Sequence, residues 1–350
     1  MEQPMIKKSY TFVKDGKEND VYTLRNAKGM EADILTYGAR IIRLTAPDKK
    51  GKFQDVVVGC KHPEDYYGDN PYFGATIGRY GNRIGGGEFT LNGTTYTLEK
   101  NEGNNTLHGG SSASFDRVIW DAKIDGDRLI LSHFSPDGAG GFPGNMQVSV
   151  SFSLSNDNEL KIEYEATTDK DTVCNLTNHT YFNIGYQDTV LDHYLMIGSR
   201  QITPVDTEMI PHGEFMDIGG TPYGFLPAKK IGQDTFSDAK LIKQCGGYDF
   251  NYCIDRVGKA LVRVAYVYDE ESGRKMDCYT TLPAIQLYTA CALDSFEGKK
   301  HYGKYCALCL ETQGFPNAPN CPQYPSTLLK AGETYQEITT YKFSVKKPLR

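Results

Sequence analysis

The segment EFTLNGTTYTL, Glu88 to Leu98, constrains the fold more than any other stretch of this chain. Two alternating apolar and polar runs flank Asn92-Gly93, a pair that tolerates positive φ at both positions and closes two-residue hairpins. The segment predicts a hairpin. Similar alternation recurs in RLILSHF, NMQVSVSFSLS, ELKIEYEAT, ALVRVAYVY, KMDCYTTLPAIQLYTA and YQEITTYKFSV, each bounded by turn residues such as NDN, DEESG or AGE. Strands at this spacing, running to the C-terminus, predict an all-β sandwich or barrel. Helical pattern is confined to HPEDYYGD and SDAKLIKQ, each long enough for a turn or two, with Ser237 or Asp238 placed to cap the second. There is no alternation of strands with helices, which disfavours a Rossmann-type fold. Nor does the sequence contain a Pro- or Ser-rich linker, a low-complexity run or a fixed-period repeat. All-β domains reach 350 residues undivided, so the expectation is one continuous domain over residues 1–350.

Composition narrows the class of function. The 24 Tyr, 16 Phe and 36 Gly set against 1 Trp favour strands and tight turns. A net charge of -6 argues against nucleic acid or an anionic membrane as partner, because both repel an acidic surface. A neutral small molecule fits better. The N-terminal MEQPMIKKSYTFVKDGKEND has no apolar run behind its lysines, and no stretch is long enough to span a bilayer, so the expected location is cytoplasmic. Nine cysteines without an export signal are expected to be reduced. Cys306 and Cys309 form the sole CxxC, but KYCALCLE reads as a strand, where positions three apart face opposite sides and cannot share a metal ion.

Polar residues of interest fall in five places. NLTNHTYFNIG surrounds His179 with Thr177, Asn178, Thr180 and Tyr181. On a strand, parity sends His179 and Tyr181 to one face and Thr180 and Phe182 to the other, and Asn178 and Thr177 are placed to fix the imidazole tautomer. Such a histidine suits proton donation in a pocket, or is a buried histidine satisfied by its neighbours. NNTLHGG sets His108 before two glycines, where a loop can approach a ligand closely or simply turn. GRYGNRIGGG offers Arg79, Asn82 and Arg83 in a glycine-rich loop, but it leads into a hairpin and lacks the helix N-terminus of a phosphate loop. Two acids complete the set. Asp249 lies between aromatics in GGYDFNY, and Glu311 ends the apolar run of LCLETQGFPNAPN, where desolvation raises a carboxyl toward use as a base near neutral pH. Either acid could instead face solvent or a cation.

The ordered series GNRI, NNTLHGG, NHTYFNI, YDFN, LPAIQLYT and LETQGFPNAPN resembles the aldose 1-epimerases, also called galactose mutarotases, over nearly all 350 residues. The resemblance implies a galactose mutarotase-like β-sandwich, a supersandwich with a few short helices, and a cleft for a free hexose. It implies His179 as general acid and Glu311 as general base. Asn82, Arg83, His108, Thr180, Tyr181, Asp249 and Gln286 would line the sugar site, with Arg79 and Tyr288 in support. Interconverting anomers requires a base to take the O1 proton and an acid to protonate the ring oxygen, so a carboxylate and an imidazole match the task, with no metal or organic cofactor. The expected partner is a small-molecule monosaccharide, and the expected form is a monomer or homodimer. Four other readings stay open at this level: a glycoside hydrolase using Asp249 and Glu311, a non-catalytic carbohydrate-binding sandwich, a metal site of His108, His179 and a carboxylate, and a phosphosugar epimerase drawing on Arg79 or Lys304.

Overall fold

Alternation in the sequence becomes burial strand by strand. Along Met146–Leu154 the residues Met146, Val148, Val150, Phe152 and Leu154 are buried while Gln147 and three serines between them reach solvent, because successive strand side chains point to opposite faces. Its neighbour Glu159–Thr168 buries Leu160, Ile162, Tyr164 and Ala166. Antiparallel register sets Val148 opposite Ala166, Val150 opposite Tyr164 and Phe152 opposite Ile162, so apolar pairs meet on one face only. Each fully buried side chain of this kind stabilises the fold by about 1.5–3 kcal/mol.

The computed structural model describes residues 5–255 and 258–346. Nine antiparallel strands form its largest sheet, in the order Asp121–Asp125, Arg128–Ser135, Met146–Leu154, Glu159–Thr168, Thr334–Val345, Arg274–Thr280, Val262–Tyr268, Tyr194–Ile197 and Lys229–Lys230. A six-stranded sheet, ordered Tyr181–Phe182, Leu308–Gln313, Ala284–Tyr288, Asp249–Cys253, Gln201–Ile202 and Met216–Asp217, packs against it. Phe182 and Tyr341 meet across the two layers with ring centroids 4.8 Å apart, and the Tyr341 hydroxyl donates to the Leu310 carbonyl at 2.8 Å. Phe250, Tyr252, Ile285, Leu287, Leu308 and Leu310 share one core with Val148, Val150 and Phe152. Five N-terminal strands from Met5–Lys14 to Phe53–Asp55 make a further sheet that adds Leu24, Ala32, Ile34 and Leu44 to this core. The result is the expected large all-β sandwich.

Local expectations fare unevenly. Glu88–Leu91 and Thr94–Thr97 pair as the foreseen hairpin, with Asn92 and Gly93 at φ of 50° and 76°. KMDCYTTLPAIQLYTA, however, is two strands in different sheets, because Pro283 cannot donate to a ladder and the chain crosses there from the large sheet to the smaller one. HPEDYYGD forms the 3₁₀ turn Pro63–Tyr67. SDAKLIKQ gives Lys240–Cys245, the one α-helix among the described residues, and its capping position is Ala239 rather than Ser237 or Asp238. Cys306 lies in a bend before the strand rather than within it, and all nine cysteines are free.

Candidate active site

Three neighbouring strands of the six-stranded sheet are buried on both faces and divide their chemistry by parity. In Leu308–Gln313 all six residues are buried. Leu308 and Leu310 enter the main core, which leaves Cys309, Glu311 and Gln313 on the opposite face. The ladder aligns Asn251 with Gln286 and Gln286 with Glu311, and aligns Asp249 with Tyr288 and Tyr288 with Cys309. Polar side chains buried here bond to one another: Gln313 donates to Asn251 at 2.9 Å and to Gln286 at 3.2 Å, and Gln286 donates to Asp249 at 2.6 Å.

His179 reaches this face because its segment changes partners. Thr177–His179 pairs with Ala75–Ile77, whereas Tyr181–Phe182 pairs with Leu308–Gln313, Tyr181 opposite Cys309. His179 and Tyr181 point into the cleft and Phe182 into the core, as parity requires. The surrounding asparagines do not touch the imidazole. Asn175 binds the Gly81 carbonyl at 3.0 Å and the Gly314 amide at 2.6 Å, Asn178 binds the Gly74 carbonyl at 2.9 Å, and Asn183 binds the carbonyls of Gln187 and Cys306 at 3.0 and 2.9 Å. They tie loops together around the site. The group beside the imidazole Nδ1 is instead the Cys309 sulfur, at 3.5 Å.

The opposite wall comes from two loops joined by the short pairing of Arg83–Ile84 with Thr106–Leu107. His108 follows at φ of 54°, and its Nδ1 accepts the Asn82 backbone N–H at 3.1 Å, which places the proton of the neutral ring on Nε2. Gly109 is needed for this approach, since a Cβ there would lie 2.2 Å from the Gly78 carbonyl oxygen. Asn82 uses its side-chain oxygen on the Arg83 amide at 2.8 Å. Arg83 is held by Glu102 through two bonds of 2.6 and 2.7 Å. Arg79 stays outside the cleft, buried and donating to Ser135, Pro136, Pro143 and Gly144. Lys304 pairs with Asp294 at 2.9 Å on the surface.

Pro71, Tyr72, Asn82, Arg83, Leu107, His108, His179, Tyr181, Asp249, Gln286, Tyr288, Ala292 and Glu311 line a cavity of about 180 Å³. That is below the roughly 300–1,000 Å³ of pockets for drug-sized ligands, and suits one small molecule. Of the residues that the resemblance assigns to catalysis or to the sugar site, Thr180 alone is not among them; it is buried with its hydroxyl donating to Asn178 at 2.5 Å. Tyr72 was not foreseen. Its ring centroid lies 4.6 Å from that of His108 and 5.9 Å from that of His179, yet no sequence period marks it, because it sits at φ of 60° in an irregular segment. Cys309 was legible in principle, being two residues before Glu311 on the same strand face.

His179 Nε2 lies 3.6 Å from Glu311 Oε1, and Glu311 Oε2, also buried, has no protein partner. Burial drives both groups toward their uncharged forms, the imidazole down to about 3 and the carboxyl well above the carboxylate range. Burial likewise holds His108 neutral and raises Asp249 against the opposing pull of Arg83. One nitrogen each from His108 and His179 and one Glu311 oxygen lie within 4.8 Å of one another, a spacing that a metal ion could bridge. The His108 tautomer does not fit that use. With Nδ1 committed to the Asn82 N–H, Nε2 carries the proton and is a donor rather than a ligand.

The family model for aldose 1-epimerase matches residues 20–342. The chain belongs to the aldose 1-epimerase family. It is 39% identical over 321 residues to a galactose mutarotase of Sus scrofa, covering 90% of this chain and 92% of that one. To an aldose 1-epimerase of Escherichia coli it is 34% identical over 345 residues, covering 97% and 99%. The solved galactose 1-epimerase of Lactobacillus acidophilus superposes with a TM-score of 0.86 at 27% identity over 99% of both chains. The fold is that of the galactose mutarotases and the enzyme class is isomerase, which removes the hydrolase and binding-module readings.

Proposed function

We propose that the cleft interconverts the α and β anomers of free hexoses such as galactose and glucose, with Glu311 as general base and His179 as general acid. The close pairing of these two buried groups, 3.6 Å apart and facing one cavity, carries the reading. Glu311 takes the O1 proton as His179 Nε2 protonates the ring oxygen; the C1–O5 bond opens to an aldehyde, the C1–C2 bond rotates, and reclosure returns both protons by exchanged roles. The pair needs one proton between them. Lowering an imidazole from 6.5 to about 3 corresponds to about 5 kcal/mol against the charged ring. Attraction to a carboxylate at 3.6 Å returns about 5 kcal/mol at an effective dielectric near 20. Burial penalises the Glu311 carboxylate as well, so the pair rests neutral with its one proton on the carboxyl, and the attraction lowers the cost of passing that proton to His179 Nε2.

Binding falls to the rest of the cleft. The Asn82 amide nitrogen, Arg83, His108 Nε2–H, Asp249 and Gln286 offer bonds to sugar hydroxyls, and Tyr72, Tyr181 and Tyr288 offer flat faces to its C–H surface. Free rather than phosphorylated sugar fits, because Arg83, the one cation lining the cavity among the described residues, is already matched by Glu102. The names of the relatives, galactose mutarotase and aldose 1-epimerase, support the same substrate class. Nine unpaired cysteines fit a reducing, cytoplasmic setting. The test is the optical rotation of freshly dissolved α-galactose and α-glucose in weak buffer. Faster decay to an unchanged end point, lost in His179→Asn, is expected; a rate equal to the buffer blank with both sugars overturns the proposal.

A further inference from the structure

We propose that Cys309 is a positioning residue for proton transfer at His179: its sulfur receives the imidazole Nδ1–H, aims Nε2 at Glu311, and leaves the protonated ring a strong acid. This rests on the reading of His179 as the acid. Cys309 and Glu311 lie two apart on one strand face and bracket the imidazole, Sγ at 3.5 Å from Nδ1 and Oε1 at 3.6 Å from Nε2. A ring held at both nitrogens by one rigid strand cannot rotate without breaking a contact.

Proton traffic at Nε2 requires that Nδ1 keep its hydrogen in both charge states, so Nδ1 needs an acceptor throughout. Thiol sulfur is a weak acceptor, whereas a carboxylate at that position would stabilise imidazolium and weaken it as an acid. Burial keeps Cys309 a thiol, so it adds no charge beside Glu311. The other groups facing the ring agree with this. His108, Tyr72, Tyr181 and Tyr288 surround it at centroid distances of 5.2, 5.9, 5.0 and 6.3 Å. The Arg40 guanidinium further off disfavours imidazolium, and its own charge is matched by Asp116 at 3.5 Å.

The experiment compares native enzyme with Cys309→Ala and Cys309→Ser, reading the His179 tautomer by ¹⁵N NMR at pH 7 and kcat and KM by polarimetry. Native enzyme and Cys309→Ser are expected to carry the neutral-ring proton on Nδ1. Cys309→Ala is expected to move it to Nε2 and lower kcat about 10-fold with KM little changed. Serine should restore most of the rate, which a packing role alone would not produce. An Nε2–H tautomer in native enzyme, or an unchanged kcat in Cys309→Ala, overturns the proposal. Should the alanine variant fail to fold, a Cys309→Ser protein with the Nε2–H tautomer overturns it equally. Retained activity in Glu311→Gln is a different failure, that of the acid–base reading itself.

Discussion

Replacing Glu311 with Gln removes a proton acceptor and almost nothing else. The side chain is 3% exposed, one oxygen sits 3.6 Å from His179 Nε2, and the other has no partner to lose. General-base catalysis of this kind contributes 10²–10⁴-fold, about 3–5 kcal/mol of barrier. Glu311→Gln should therefore lower kcat by roughly 10²–10⁴-fold. Sugar affinity should stay within a few-fold, because Asn82, Arg83, His108, Asp249 and Gln286 remain. Thermal stability should hold or rise, since a neutral amide of the same shape replaces a carboxyl that burial already forces toward neutrality. Polarimetry of α-galactose in weak buffer measures the rate against a blank, and calorimetric titration measures binding. A folded Glu311→Gln enzyme working within about 10-fold of native would refute the base assignment, since it would leave less than about 1.4 kcal/mol for the missing group.

The acid limb of the kcat–pH profile should lie well below 6.5, because activity is lost there only when His179 and Glu311 together gain a second proton and the imidazole is depressed to about 3; a midpoint at 6.5 would contradict this. His193 is fully buried with neither ring nitrogen hydrogen-bonded and Nδ1 3.8 Å from Asp269 Oδ1, and burial lowers it to about 4 against the pull of Asp269. Its folded pKa is depressed, so the unfolded state binds more protons between 6.5 and 4; its stabilisation is present above 6.5 and shrinks by about 3 kcal/mol as pH falls through that window. Urea denaturation at pH 7 and pH 5 should show a smaller loss in His193→Gln than in native protein, and equal losses would exclude His193 as a cause. Thr180→Val should cost about 1 kcal/mol through the lost bond to Asn178 and leave KM unchanged; a several-fold rise in KM would return Thr180 to the sugar site.

The strands were legible because they follow from short-range pattern, and most residues of the candidate cleft because the ordered motifs resemble a known family. Alternation marked NMQVSVSFSLS and ELKIEYEAT, and parity alone sent His179 with Tyr181 and Phe182 the other way. What stayed hidden depends on contacts between distant segments. Thr177 and Asn178 looked like partners for the imidazole, yet Asn178 is spent on Gly74, and the ring's neighbour is Cys309, 130 residues on. Arg79 could be read as a candidate for sugar or phosphate only because its acceptors, 56 to 65 residues away, leave no trace beside it. Tyr72 enters the cleft from an irregular segment whose conformation no local period encodes.

The even and odd positions of Leu308–Gln313 live in different worlds: Leu308 and Leu310 build the sandwich, while Cys309 lies against His179 and Glu311 lines the cleft. Fold and chemistry are thus written on alternate letters of one six-residue word. On the roles proposed above, point changes at 309 and 311 retune or erase the reaction while the sandwich stands, which makes this strand a natural place to install new proton chemistry. Inserting or deleting a single residue does the reverse, turning Glu311 into the apolar layer and a leucine into the cleft, so the length of this strand is under stricter constraint than half of its letters.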